Sequence, residues 1–370
     1  LIPGGVILFG GEPGIGKSTL LLQIAQQIAS RYGNVLYVSG EESEGQVKLR
    51  ARRIGVDNPN LYVLSEQSLA RILAAVEQVD PALLIVDSIQ TTVDERAAGE
   101  AGSVRQMRET SSELIRRAKS RRMATFLVGH ITKEGAFAGP KSVEHLVDTA
   151  VYLEGSRGED VRILRSVKNR FGATNEVAVF QMAAEGLTEI ADPSRFFLDG
   201  MESEFQPGTT VVPILEGTRP ILVEMQALVS PTGGYGAPQR RCTGLDVNRV
   251  LLLLAVMEKH LGIQVGGADV YLSLAGGLET RERGTDLGVV ATVCSSLRSR
   301  ALPPRTAIVG EVGLSGEIRP VRRLGERIRE AEKMGMERIV VPQGARRSGG
   351  RIEVLRVERI DRAMEEIELS

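Results

Sequence analysis

Tryptophan is absent, and aromatic residues make up only 4% of the 370 residues. Any contact with nucleic acid should therefore depend on charge more than on base stacking. Cysteine is almost absent as well. Cys242 and Cys294 stand alone and far apart, which excludes a disulfide framework and a cysteine metal site and suits a reducing compartment. The three histidines, His130, His145 and His260, are too scattered for a metal site. Net charge is only −1, so a nucleic-acid surface must be local. Long apolar runs are missing: Val250 to Met257 is the densest and is too short to span a bilayer. With no secretory leader pattern either, a cytoplasmic protein without a membrane partner is expected. Leu1 stands almost on the first strand and is not Met, so a further N-terminal segment is expected ahead of it. The length suggests two or three domains, each able to bury a core.

What is present is organised around Gly11-Glu12-Pro13-Gly14-Ile15-Gly16-Lys17-Ser18. An apolar run, Val6 to Phe9, precedes it, and a segment of helical spacing from Thr19 to Ala25 follows. Strand, glycine loop and helix form the setting in which this spacing makes a phosphate cradle. Glycines let the loop turn its N–H groups inward, and the helix start adds unpaired donors and the positive end of a dipole. Lys17 can reach β- and γ-phosphates and Ser18 can ligate Mg²⁺, so ATP and Mg²⁺ are the expected cofactors. Gly11 through Thr19 form the expected nucleotide-binding set.

Strands and helices then alternate, which predicts a parallel sheet with ligands at the carboxyl ends of its strands. Asn34 to Ser39, Leu61 to Leu64, Ala82 to Asp87 and Ala124 to His130 read as strands. Asp87 ends an apolar run in the Walker B manner and is the expected second metal residue. Glu41 lies at a strand end on the same edge, where it either activates the attacking water or, with Glu42, caps the following helix. Thr91 to Gly102 and Thr132 to Lys141 read as loops. Ala150 to Leu153, Val161 to Arg165 and Val177 to Phe180 read as a meander. The basic turn Lys168-Asn169-Arg170-Phe171-Gly172 separates its last two strands.

Gly40-Glu41-Glu42-Ser43, Val128-Gly129-His130 and above all Lys168-Asn169-Arg170-Phe171-Gly172 resemble the RadA (Sms) family of bacterial DNA-repair proteins. The resemblance runs over essentially the whole chain. It implies an α/β RecA-like P-loop ATPase core, residues 1–194, followed by an α+β Lon-protease-like domain, residues 195–370. It also implies a ring, a hexamer, that hydrolyses ATP when bound to DNA and translocates on single strands. Such a ring extends branched recombination intermediates alongside a RecA-type recombinase. The family's four-cysteine zinc finger would precede Leu1, so zinc is expected only there. Carried onto these residues, Lys17, Glu41 and His130 form the catalytic set, with His130 as a polar sensor. Lys168 and Arg170 reach a neighbour's nucleotide, where a cation supplied in trans stabilises the transferring phosphoryl group. The loops Asp94 to Ser103 and Lys133 to Lys141 line the bore. Lys133 and Lys141 contact DNA phosphates, and Phe137 either stacks on a base or anchors its loop.

Periodicity resets near Ala191 to Ser194, where a domain boundary is expected. Beyond it, Gly310-Glu311-Val312-Gly313-Leu314-Ser315-Gly316-Glu317-Ile318-Arg319-Pro320 looks like the Lon proteolytic domain. That domain needs a Ser–Lys pair. The matching positions hold Gly284 and Gly325, so no peptidase activity is expected. The pairs Arg240-Arg241, Arg322-Arg323 and Arg346-Arg347 read as a second DNA surface or as a solvated face. An ATP-dependent protease and a non-catalytic nucleotide switch that recruits a recombinase are the competing functions.

Overall fold

The structure is a computed structural model, and it describes residues 1–130, 142–155, 160–199, 206–232, 237–344 and 350–369. It divides into two compact units, Leu1–Ile190 and Ala191–Ser370. The division falls four residues before the boundary expected after Ser194. The physical reason is local: Pro193–Leu198 is a helix of the second unit, where the Ser194 hydroxyl bonds Glu330 at 2.6 Å and accepts the Leu222 N–H at 3.1 Å.

The first unit follows the expected alternation. In order come β1 (Val6–Gly11), α1 (Lys17–Arg31), β2 (Val35–Ser39), α2 (Glu44–Arg53), β3 (Leu61–Ser65), α3 (Leu69–Val79), β4 (Leu83–Asp87), α4 (Val104–Arg121) and β5 (Ala124–His130). β6 (Thr149–Glu154), β7 (Val161–Asn169), β8 (Val177–Ala183) and β9 (Gly186–Glu189) follow. All nine strands join one sheet in the order β3-β2-β4-β5-β1-β6-β7-β8-β9. Pairing is parallel from β3 through β6 and antiparallel from β6 onward, so the meander is an extension of the parallel sheet.

The central strands β1, β2, β4 and β5 are predominantly apolar because both faces of the sheet are covered there. Alternate side chains sort to the two sides. Phe9, Tyr37, Ile85 and Phe126 pack with Leu21 and Leu22 of α1. Leu8, Leu36, Leu84 and Val86 pack with Ile72 of α3 and Leu114 of α4. Local signals set the helix ends. α2 begins in a capping box between Ser43 and Gln46, and α3 ends at Asp80 in a left-handed conformation just before Pro81.

The second unit begins with α5 (Pro193–Leu198), β10 (Thr209–Glu216), β11 (Arg219–Pro231), β12 (Arg240–Thr243), α6 (Val247–Leu261), β13 (Ala268–Leu274) and α7 (Asp286–Arg298). It continues with β14 (Thr306–Ile308), the short hairpin β15 (Glu311–Val312) and β16 (Ile318–Arg319), α8 (Leu324–Lys333), β17 (Arg338–Pro342), β18 (Glu353–Val357) and α9 (Ile360–Glu366). Its main sheet is mixed, with order β12-β13-β11-β10-β14-β17-β18.

A buried ion pair ties α8 to β10 through the segment that precedes α7. Arg327 on α8 has no exposed surface, yet its guanidinium holds both carboxylate oxygens of Glu282, one of them at 3.2 Å. It also bonds the Pro213 carbonyl on β10 and, at 2.9 Å, the Arg322 carbonyl. Glu282 in turn accepts the Leu215 N–H at 2.8 Å. No described helix is long and apolar enough to cross a membrane.

Candidate functional site

Strand register assembles the site. Gly11 at the end of β1 lies beside His130 at the end of β5, and Ser39 at the end of β2 lies beside Asp87 at the end of β4. Four strands thus deliver their terminal residues to one edge of the sheet. The glycine loop turns there. Gly14 has φ +79° with open space where a Cβ would stand, so nothing hinders close approach to its backbone. Gly16 has φ +113°, and a Cβ would meet the Met182 methyl at 2.7 Å, so only glycine suits the position from which α1 starts.

The loop, α1 and the strand ends enclose a cleft of about 390 Å³, lined by Lys17, Ser18, Glu41, Asp87, His130 and the roof residue Met182, among others. Lys17 is only 4% exposed. Its Nζ donates to the carbonyls of Gly11 at 2.8 Å and Glu12 at 2.9 Å, and to His130 Nδ1 at 3.0 Å. Burial lowers its pKa to about 8, against the opposing pull of Asp87 and Glu41. An Nδ1 that accepts from the ammonium leaves the imidazole proton on Nε2, which lies 3.2 Å from Glu41 Oε1. The same Glu41 oxygen accepts from Ser88 Oγ at 2.9 Å. Lys17, His130, Glu41 and Ser88 are therefore one continuous chain of hydrogen bonds.

A second chain runs beside it. Ser18 Oγ and the Tyr37 hydroxyl each donate to Asp87 Oδ2 at 2.6 Å. Burial, then the Asp87 carboxylate, push the Tyr37 phenol well above its usual pKa, so it remains a donor. The Asp87–Ser88 peptide is cis. Hydroxyl and carboxylate oxygens form a donor set that suits a hard cation such as Mg²⁺.

The alternative of Glu41 or Glu42 as a helix cap does not arise, because Ser43 and Gln46 cap α2 themselves. Glu42 instead holds Arg50, both guanidinium arms on its two oxygens. Lys168 and Arg170 lie at the other end of the sheet. Asn169 pairs with Thr149, and Thr149 with Ile7, four residues before Gly11 on β1. At strand rise that is roughly 13 Å from the glycine loop along the strand direction. Lys168 Nζ donates to the carbonyls of Glu144 at 2.7 Å and His145 at 3.1 Å, and Arg170 pairs with Asp148 at 3.3 Å. Burial first and Arg170 second lower the Lys168 pKa.

The segment from Asp94 to Ser103 is tied down rather than free. Gln106, 1% exposed, donates to the carbonyls of Asp94, Ala97 and Gly99 and accepts the Asp94 N–H. Lys133, Phe137 and Lys141 lie outside the described residues. Sequence reasoning missed Tyr37, Ser88 and Met182. Tyr37 sits inside an apolar run and gave no signal; Ser88, next to a Walker B aspartate, was the one of the three open to notice.

A parallel sheet whose strand ends carry a phosphate loop, a buried lysine, and a hydroxyl on a strand-end aspartate defines a RecA-like P-loop ATPase domain. The AAA domain family matches residues 1–136. The chain is similar to the DNA repair protein RadA of Halalkalibacterium halodurans, 46% identical over 99% of this chain and 80% of that protein. It is also similar to RadA of Bacillus subtilis, 48% identical over 92% of this chain and 74% of the relative. RadA of Synechocystis is likewise 48% identical, over 93% and 71%. The chain belongs to the RadA family of DNA-repair proteins. Among solved structures, a KaiC-like protein of Pyrococcus horikoshii covers 51% of this chain and 90% of its own, at 18% identity and a TM-score of 0.42.

Proposed function

We propose that the chain is a DNA-dependent ATPase working as a closed ring, a hexamer, that translocates on single strands and drives branch migration of recombination intermediates beside a RecA-type recombinase in the cytoplasm. The observation that carries the reading is the convergence of Lys17, Ser18, Glu41, Asp87 and His130 on one cleft. In it, Lys17 and the loop N–H groups from Gly11 to Thr19 hold the phosphates of ATP. The Ser18 hydroxyl, backed by Asp87, holds Mg²⁺, which when bound neutralises charge on the β- and γ-phosphates. Glu41 orients the attacking water and takes its proton. His130 couples the cleft to the loop that follows it, where Lys133, Lys141 and Phe137 meet the DNA.

Lys168 and Arg170 serve a neighbouring subunit, a role supported by their place at the far end of the sheet from their own cleft. The second unit is proposed to be a Lon-protease-like platform, spanning 195–370 in the family's terms, that keeps the shape without the chemistry. Gly284 and Gly325 offer neither nucleophile nor base. The neighbouring Thr285 hydroxyl is engaged with the Glu282 carbonyl at 2.8 Å, and Lys333 pairs with Asp192 at 3.0 Å.

ATP turnover with and without single-stranded DNA, run beside a casein digest, tests the proposal. Stimulation by DNA with no casein cleavage is expected. Casein cleavage lost on Thr285→Ala would return the protease reading, and no turnover at all would favour a nucleotide-switched scaffold.

A further inference from the structure

We propose that Tyr37 is a positioning residue of the nucleotide cleft: its hydroxyl fixes the Asp87 carboxylate, and through it the Ser18 hydroxyl, for a divalent cation. The inference rests on the reading of the cleft as a Mg²⁺–nucleotide site. It concerns a residue outside the phosphate loop and the strand-end acids.

Tyr37 is 1% exposed and stands in the row of β2 side chains that faces α1. Its companions in that layer, Phe9, Val35, Leu83, Ile85 and Phe126, are apolar. Packing alone would be served by phenylalanine, so the hydroxyl needs a separate reason. It meets Asp87 Oδ2 at 2.6 Å, and the same oxygen takes the Ser18 hydroxyl at 2.6 Å. An ionised carboxylate only accepts, so both hydroxyls donate. The Ser18 proton is thereby committed to Asp87, and the Ser18 oxygen keeps its lone pairs for a cation.

Asp87 is the last residue of β4, where the strand gives way to a turn. Tyr37 lies mid-strand in β2, paired on one side with β3 and on the other with β4. It is the fixed post, and the carboxylate is the part that could rotate. Two short charge-assisted bonds to one oxygen leave that carboxylate a single orientation. Outer partners of this kind, which touch a ligating group and not the metal, typically change metal affinity 10–100-fold when removed.

The test uses the whole chain. Tyr37→Phe deletes one atom and keeps the ring. Binding of a fluorescent, slowly hydrolysed ATP analogue is titrated with Mg²⁺, and Mn²⁺ occupancy is followed independently by electron paramagnetic resonance. Expected are a half-saturating Mg²⁺ concentration about tenfold higher, weaker Mn²⁺ binding, and wild-type nucleotide affinity in EDTA. An unchanged metal requirement in folded Tyr37→Phe overturns the proposal. So does an equal loss with and without metal, which would mark a packing role only. Asp87→Ala/Tyr37→Phe leaves no unpaired buried carboxylate and provides a folded comparison should the single variant misfold. Against Asp87→Ala alone it should show no further change; an additional loss means Tyr37 does not act through Asp87. Wild-type protein whose nucleotide binding ignores metal altogether would bring down the reading of the cleft, and this inference with it.

Discussion

Replacing Arg327 with methionine probes the second unit where its structure is most committed. The guanidinium is fully enclosed and serves Glu282, Pro213 and Arg322 at once. Methionine preserves much of the aliphatic stem and removes the charge. Glu282 is then left with a single N–H donor, from Leu215, and its side chain is only 21% exposed. Breaking a buried pair by removing one partner costs about 3–5 kcal/mol, and the partial exposure of Glu282 points to the lower end, about 3 kcal/mol. In a unit of about 180 residues, each kcal/mol moves the midpoint by about 2–4 °C, so a fall of roughly 6–12 °C is expected by differential scanning calorimetry. Arg327→Met/Glu282→Leu should regain most of the loss, because no charge is stranded. A loss under about 1 kcal/mol, or a double variant no better than the single, would refute the reasoning. The same pair bears on Gly284. A Cβ there would stand 2.8 Å from Glu282 Oε1 and 3.5 Å from Arg327 Nη1, so Gly284→Ser should destabilise the unit without yielding a peptidase.

Lys17 supplies a pH signature. Its pKa is lowered by burial from 10.5 to about 8, so its contribution to stability is fully present above pH 10.5 and is lost as pH falls through 8. The denaturation midpoint of nucleotide-free protein should therefore rise between pH 8 and 10.5, and Lys17→Met should abolish that part of the rise. Lys168→Ala should reduce turnover more than nucleotide affinity, and mixing it with Glu41→Gln subunits should restore some activity; no recovery in well-mixed assemblies would place Lys168 in cis or on DNA alone. Single-stranded DNA binding should weaken steeply with salt, and Lys133→Ala and Lys141→Ala should each flatten the slope. If neither does, the arginines of the second unit become the better candidates.

The phosphate loop, the strand ends and the alternation were legible because each depends on short-range pattern. Parallel strands bring their carboxyl ends to one edge, so reading Gly11, Glu41, Asp87 and His130 as strand ends is enough to place them together. Interactions that join distant residues were not legible. Nothing in the sequence links Glu282 to Arg327 or separates Gln106 from its polar neighbours on α4, yet burial decides what each of them does. Arg240 reads as half of a basic pair that either meets DNA or forms a solvated face. Its guanidinium instead gathers the carbonyls of Gln239, Val265 and Ala268. The edge strand β18 and the helix α9 carry charged residues that blur both periodicities, so neither stands out in the sequence.

The hydrogen-bonded chain from Lys17 through His130 and Glu41 to Ser88 has a consequence for timing. Without nucleotide, the amine, the imidazole and one carboxylate oxygen are joined to one another. In the proposed mechanism a triphosphate that engages Lys17 frees His130 Nδ1, while Glu41 keeps its bonds to His130 Nε2 and Ser88. On that proposal the imidazole, released at Nδ1 only once the phosphates have engaged Lys17, is the group that carries their arrival to the Glu41 carboxylate. A cleft without nucleotide therefore keeps its amine, imidazole and carboxylate engaged with one another.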